Sequence, residues 1–197
     1  YTTTVANTNF IITLETIFLA LFGYFFLREK ISLTTLISII LGISGVLIIL
    51  GSSLTIQTSE QFFGNIVALI MPISFAVLVI IVRKYPNVDM VPATFTAGIA
   101  AALIGFFIAD QLIMSFKDFI LASIAGIFQI GFGFILITVG SRTTPAAVVG
   151  VLMLTESVFG PLWAWFFINE LPPMTVLIGG GVIISAILFQ SVFGKKD

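Results

Sequence analysis

The chain contains part of itself twice, and that repeat limits its fold more than any other feature. Read with a displacement of 141 residues, Glu15 and Glu29 recur as Glu156 and Glu170, and ETIFLALFGYFFLRE lies without a gap over ESVFGPLWAWFFINE. The match extends both ways. Thr2, Thr3 and Ala6 fall on Thr143, Thr144 and Ala147, while Thr34, Leu36 and Ile37 fall on Thr175, Leu177 and Ile178. Each copy is a long apolar stretch with one carboxylate inside it and another at its end. A duplicated unit of this kind, set in an apolar chain, is the mark of a transporter built from internal repeats.

The solvent follows from composition. Apolar residues make up 59% of the 197 residues and charged residues 9%, and the mean hydropathy is +1.23. A soluble domain carries about 25% charged residues, so this chain cannot cover a surface that faces water. Its expected partner is the lipid bilayer. A net charge of −1 argues against nucleic acid or any other polyanion as a partner. The chain has no Cys and no His, which removes disulfides, thiolate nucleophiles and imidazole chemistry. Neither a cofactor nor a metal site is expected.

A hydrocarbon core of roughly 30 Å takes about 20 residues of helix. Seven apolar runs meet that length: 4–27, 33–50, 63–82, 91–109, 119–139, 145–168 and 173–193. They are continuous rather than alternating, which argues against a β-barrel. The expected fold is therefore all-α, a polytopic transmembrane helix bundle. Alternating through the runs, one face of the membrane collects Arg28, Lys30, Arg83, Lys84, Arg142, Lys195 and Lys196, and the other Lys117. Lys and Arg accumulate on the cytoplasmic side. This predicts a multi-pass protein of the cell (inner) membrane with a cytoplasmic C-terminus.

On that topology the 4–27 run descends into the cytoplasm while its copy, 145–168, rises out of it. The copies are then inverted repeats, five helices apart. Five helices per unit implies ten in all, of which seven are present. The expectation is an N-terminally truncated chain, with residues 1–51 as the last two helices of the first repeat and residues 63–193 as the complete second repeat.

Three stretches carry a family likeness: LTESVFGPLWAWFFINELPPMTVLIGGGVII, its weaker twin LETIFLALFGYFFLREKISLTTLISIILGISGVLI, and GNIVALIMPISFAVLVIIVRK with Gly64, Ser74, Ala76, Arg83 and Lys84. In these the chain resembles the EamA-type ten-helix transporters of the drug/metabolite transporter superfamily. The resemblance implies a basket of helices around a central cavity that opens to each side in turn. It also implies a small-molecule substrate, an amino acid or related metabolite. The function expected is secondary active transport of that metabolite, outward in direction, with proton coupling as an open option. A facilitative channel-like permease and a non-transport structural membrane protein are the alternatives. An enzyme is not expected, because Asp89, Asp110, Asp118 and Asp197 all fall in joints or the tail and leave no intramembrane aspartyl dyad.

Glu15 and Glu156 stand out by depth. Each lies about eleven residues into its run, roughly 17 Å at 1.5 Å per residue, and so near the midplane. A charged residue there costs about 2.5–3.5 kcal/mol on insertion scales and normally faces the bundle interior or a wet cavity. Either the pair binds a substrate amine or carries a proton, or each is a packing contact between helices. Trp163 follows Glu156 by seven residues, as Phe22 follows Glu15. Each therefore shares its carboxylate's helix face and could stack on a substrate. Gln129, midway along 119–139, is either a cavity contact or an interhelical hydrogen bond. Glu29 and Glu170 sit in joints ahead of the next helix, where a carboxylate caps free N–H groups, and they read as structural. Gly42 with Gly45, the triplet of glycines from Gly179 to Gly181, and the stripe Ala97, Ala101 and Gly105 predict close helix packing within the chain. Oligomeric state stays open.

Overall fold

The computed structural model describes residues 5–50, 59–109, 115–169 and 171–194, and among these the chain is helical apart from short joints. The elements are α1 (Val5–Thr13), α2 (Glu15–Leu27), α3 (Leu33–Leu50), α4 (Ser59–Ala68), α5 (Ile70–Lys84), α6 (Val91–Ile108), α7 (Phe116–Ile124), α8 (Gly133–Gly140), α9 (Ala146–Met153), α10 (Thr155–Ile168) and α11 (Met174–Phe193). A π-helical stretch, Ala125–Phe132, joins α7 to α8. Seven stretches among the described residues are long and apolar enough to cross a membrane, from Thr8–Leu27 to Met174–Phe193. The polytopic helical fold read from the apolar runs is the one observed.

The runs are less uniform than their composition suggests. Residues 4–27 form two helices that meet at Leu14, where Leu14 N–H donates to Ile11 O and Ile17 N–H to Leu14 O, both three residues back. Residues 145–168 behave alike: α9 and α10 meet at Leu154, and Ser157 N–H donates to Leu154 O at 3.1 Å. Bonds of this span belong to a tighter winding than the α-helix. A third junction, at Leu69, separates α4 from α5 three residues ahead of Pro72. Proline has no N–H to return to the carbonyl four residues back and crowds it, so a local departure there has a ready cause.

Two compact units partition the chain: residues 1–80 with 144–197, and residues 81–143. In the first unit α3 packs along α11. Gly45 and Gly179 make the approach reciprocal, since a Cβ on Gly45 would lie 2.7 Å from Gly179 O and a Cβ on Gly179 2.5 Å from Gly45 O. Helices surrounded by lipid gain little from hiding apolar surface from one another, and small residues that admit close backbone packing replace that drive. Helix α2 packs against α9 by the same device. A Cβ on Gly150 would come within 2.8 Å of the Thr16 Cα, and Thr16 Oγ1 donates to Gly150 O at 3.0 Å. Around these crossings lie Val46, Ile49, Leu154, Val158 and Ile183, and a second cluster of Ala20, Ile39, Ala147 and Val151.

The ends of these helices are closed locally. Ser32 Oγ accepts from Thr35 N–H at 3.1 Å at the start of α3, an N-cap of the usual kind. At the end of α2 the chain turns through a left-handed residue, Arg28 at φ 58°, while Arg28 and Glu29 both donate their N–H to Gly23 O. Asn169 ends α10 in the same conformation, at φ 54°.

The second unit is built differently. Helices α6 and α7 and the π-helical stretch bury none of their described residues. The small-residue stripe on α6 has no partner here: Gly98 and Gly105 both face open space. Where close intrachain packing is expected from that stripe, the described residues leave it uncovered. The joints are better tied. Arg142 Nη2 pairs with Asp89 Oδ1 at 2.6 Å, and Arg83 Nη1 donates to Arg142 O at 2.9 Å.

Candidate functional site

Glu15 and Glu156 each sit just after a helix junction. Glu15 is the first residue of α2 and Glu156 the second residue of α10, each within two residues of the tight turn at Leu14 or Leu154. Broken membrane helices place polar chemistry at depth, because a chain leaving the regular ladder exposes N–H and C=O groups that a continuous helix would hide. The surroundings of the two carboxylates differ. Glu15 is 6% exposed, packed within the first unit beside the fully buried Thr16, whereas Glu156 is exposed on α10.

The aromatic companions occupy equivalent places. Phe22 stands between Phe18 and Phe26, with ring centroids 5.9 and 5.6 Å away. Trp163 faces Phe167 at 5.7 Å, and Phe167 is the repeat partner of Phe26. Phe22 is half-buried in its ladder while Trp163 is 55% exposed. Trp163 also lines an open hollow of about 570 Å³ with Phe159, Leu162, Trp165, Phe166 and Asn169. All its lining residues belong to α10 or its C-terminal end, so the hollow lies along one side of a single helix. Gln129 lies inside the π-helical stretch and is exposed. It belongs to the second unit, and both carboxylates to the first.

Glu29 does more than mark a joint. Its Oε2 accepts from Ala146 N–H at 2.9 Å, so the end of the first repeat copy reaches the opening turn of the second. That N–H is one of the free donors at the start of α9, and a carboxylate there also complements the helix dipole. Glu170, the repeat partner of Glu29, lies outside the described residues.

Three groups were not singled out from sequence. Thr16 bonds across to α9, the Asp89–Arg142 pair links two joints, and Gln190 is buried near the end of α11. For Thr16 a signal existed, because Gly150 sits in an apolar run where a glycine implies close approach. For Gln190 the only signal was an amide in an otherwise apolar helix.

The EamA-like transporter family matches residues 1–51 and 62–192 of this chain. An uncharacterized transporter of Methanothermobacter thermautotrophicus is 26% identical over 98% of the chain, and the chain spans 58% of that relative's length. A protein crystal structure, 17% identical, superposes with a TM-score of 0.83 over 96% of this chain and 68% of its own. The last likeness concerns the fold alone. The chain belongs to the EamA-like transporter family.

Proposed function

We propose that this protein moves a small metabolite, an amino acid or a related compound, outward across the membrane by alternating access, with Glu15 and Glu156 in the substrate or proton path. One observation carries the reading: two carboxylates from equivalent positions of the two copies each stand beside a helix junction near the middle of an apolar span. An intramembrane acid is expensive, and its usual role is to meet a substrate, an ion or a proton. A pair that shares a site can hold a substrate amine between them or exchange it for a proton. Trp163 and Phe22, one turn pair further along each helix, would then flank the amine's apolar part.

Other features support the wider reading. The distribution of Lys and Arg favours a cytoplasmic C-terminus and a place in the cell (inner) membrane. The same distribution favours inverted orientation of the copies, and shared junction positions and shared left-handed ends agree with two copies of one unit.

The test is a comparison of metabolites in the medium of cells expressing wild type, Glu15→Gln or Glu156→Gln at equal abundance. The expected result is a compound enriched by wild type, with its export falling at least about tenfold in each variant, a loss of about 1.4 kcal/mol in transition-state stabilisation. Equal export by all three would overturn the role given to the carboxylates. Non-saturating flux that never exceeds the gradient would point to a channel-like permease instead.

A further inference from the structure

The main helix contacts of the first unit behave in two ways when the repeat copies are exchanged. With the displacement of 141 residues, α3 falls on α11, Gly45 on Ala186 and Ser38 on Gly179. Their crossing therefore maps onto itself, and all four positions are buried. A contact of this kind is the same whichever copy plays which part, so it can stay fixed while other contacts change.

The contact of α2 with α9 is of the other kind. Exchange carries α2 onto α10 and α9 onto α1, so that Thr16 and Gly150 become Ser157 and Asn9. Thr16 is fully buried and bonds Gly150 O at 3.0 Å, whereas Asn9 is exposed. Leu19, one turn beyond Thr16, is 0% exposed, while a Cβ on its counterpart Gly160 would meet nothing within 4 Å. Val151 of α9 is fully buried and its counterpart Phe10 only half-buried. Near the Arg28 end of α2, a Cβ on Gly23 would lie 3.1 Å from the Ala146 Cβ. The junctions at Leu14 and Leu154 divide the closed halves of both runs from the uncovered ones.

Two inverted copies of one unit have a second arrangement in which they trade parts. We propose that α2 against α9 is one gate of the span and α1 against α10 the other, with Asn9 meeting Ser157 when the bond of Thr16 to Gly150 parts. This rests on the alternating access proposed above and names the residues that perform it. Phe10 already packs against the cluster that contains Leu154 and Val158, so α1 reaches α10 by a shift of existing packing. The Asn9 amide can donate to the Ser157 hydroxyl or accept from it. The crossing of α3 with α11, unchanged by the exchange, is the frame on which both gates move.

The chain has no cysteine, so a pair of introduced thiols reports a single contact. Gly23→Cys/Ala146→Cys and Asn9→Cys/Ser157→Cys are oxidised with copper phenanthroline in membranes of expressing cells, and disulfide formation is followed as loss of maleimide labelling. The first pair should close readily, since the Cβ separation is near the roughly 3.5–4.5 Å of a disulfide. The second pair is expected to close as well, more slowly. Thr16→Val removes the bond that holds α2 to α9 and should speed closure of the second pair about fivefold, the population shift that one net hydrogen bond controls. Asn9→Cys/Phe159→Cys, with its second thiol on another face of α10, should stay reduced. No disulfide in Asn9→Cys/Ser157→Cys, or a rate that Thr16→Val leaves unchanged, overturns the proposal. So does equally fast closure of the Phe159 pair. Should Gly23→Cys/Ala146→Cys fail to fold, the rates of the Asn9 and Ser157 pair decide alone. They are read without a substrate, so a protein that closes both pairs and exports nothing keeps its gates and loses the transport reading.

Discussion

The two repeat copies share a backbone and differ in what surrounds it. Arg28 and Asn169, at equivalent positions, both take the left-handed conformation that ends a helix. Junctions fall at Leu14 and Leu154, within one residue of equivalence, and both are followed by the carboxylate. Yet Glu15 is buried and Glu156 is exposed, and Phe22 sits inside an aromatic ladder while Trp163 borders an open hollow. Local sequence thus sets the path of the chain, and the neighbours of each copy decide how wet its polar groups are. A transporter site assembled from two copies can have equivalent geometry and unequal chemistry.

The strongest way to break the comparison is at the helix crossing of α3 and α11. Gly179→Leu drives a side chain into the Gly45 carbonyl and the Ile49 backbone. Overpacking of that order should cost about 3 kcal/mol and abolish most folded protein, read as loss of a monodisperse peak in size-exclusion chromatography. Gly181→Leu, two residues on and facing open space, should fold normally. Next in size is the carboxylate pair. If both copies serve the same step, Glu15→Gln and Glu156→Gln lower export alike, by at least about tenfold. A loss confined to the buried Glu15 would make the copies unequal in mechanism as well as in surroundings.

A smaller effect concerns the contact between α2 and α9. Thr16→Val removes the hydroxyl that bonds Gly150 O and should cost about 1 kcal/mol, measured by thermal unfolding in detergent. Its repeat counterpart Ser157 makes a sharper control, since Ser157→Ala should stay within about 0.5 kcal/mol. Smallest of all is an exchange of helix ends. Asn tolerates the left-handed region better than Arg. Arg28→Asn should therefore stabilise by about 0.5 kcal/mol and Asn169→Arg destabilise by about as much. Equal and opposite shifts in unfolding midpoint would show that both ends feel only their own backbone.

Much of this fold was legible because lipid leaves few choices. Apolar runs of the right length must be helices, since no other local structure satisfies the backbone in hydrocarbon. The glycines Gly45 and Gly179 announced a close crossing for the same reason. The junctions were not legible. Pro161 offers an explanation for the break at Leu154, but its counterpart in the first copy is Ala20, and that copy breaks at Leu14 regardless. Leucine at both junctions carries no signal of its own, but each has a threonine beside it, Thr13 or Thr155, whose hydroxyl donates to the carbonyl three residues back at 2.6 or 2.7 Å, a bond that bends helices. Gln129 could be placed mid-span from sequence, but nothing in its neighbours distinguishes an α-turn from the π-turn in which it lies. For the α6 stripe, small residues state that something could approach closely, and among the described residues nothing meets Gly98 or Gly105.

The crossing at Gly45 and Gly179 has a consequence for which substitutions the chain tolerates. Contact there is backbone against backbone, so it asks neighbours for small size and asks nothing of their identity. Their repeat partners, Ala186 and Ser38, are also small and fully buried. Such a joint constrains four positions to small residues, while the lipid-facing positions around them need only be apolar. A chain of this design can keep its fold while most of its lipid-facing side chains are exchanged for other apolar ones.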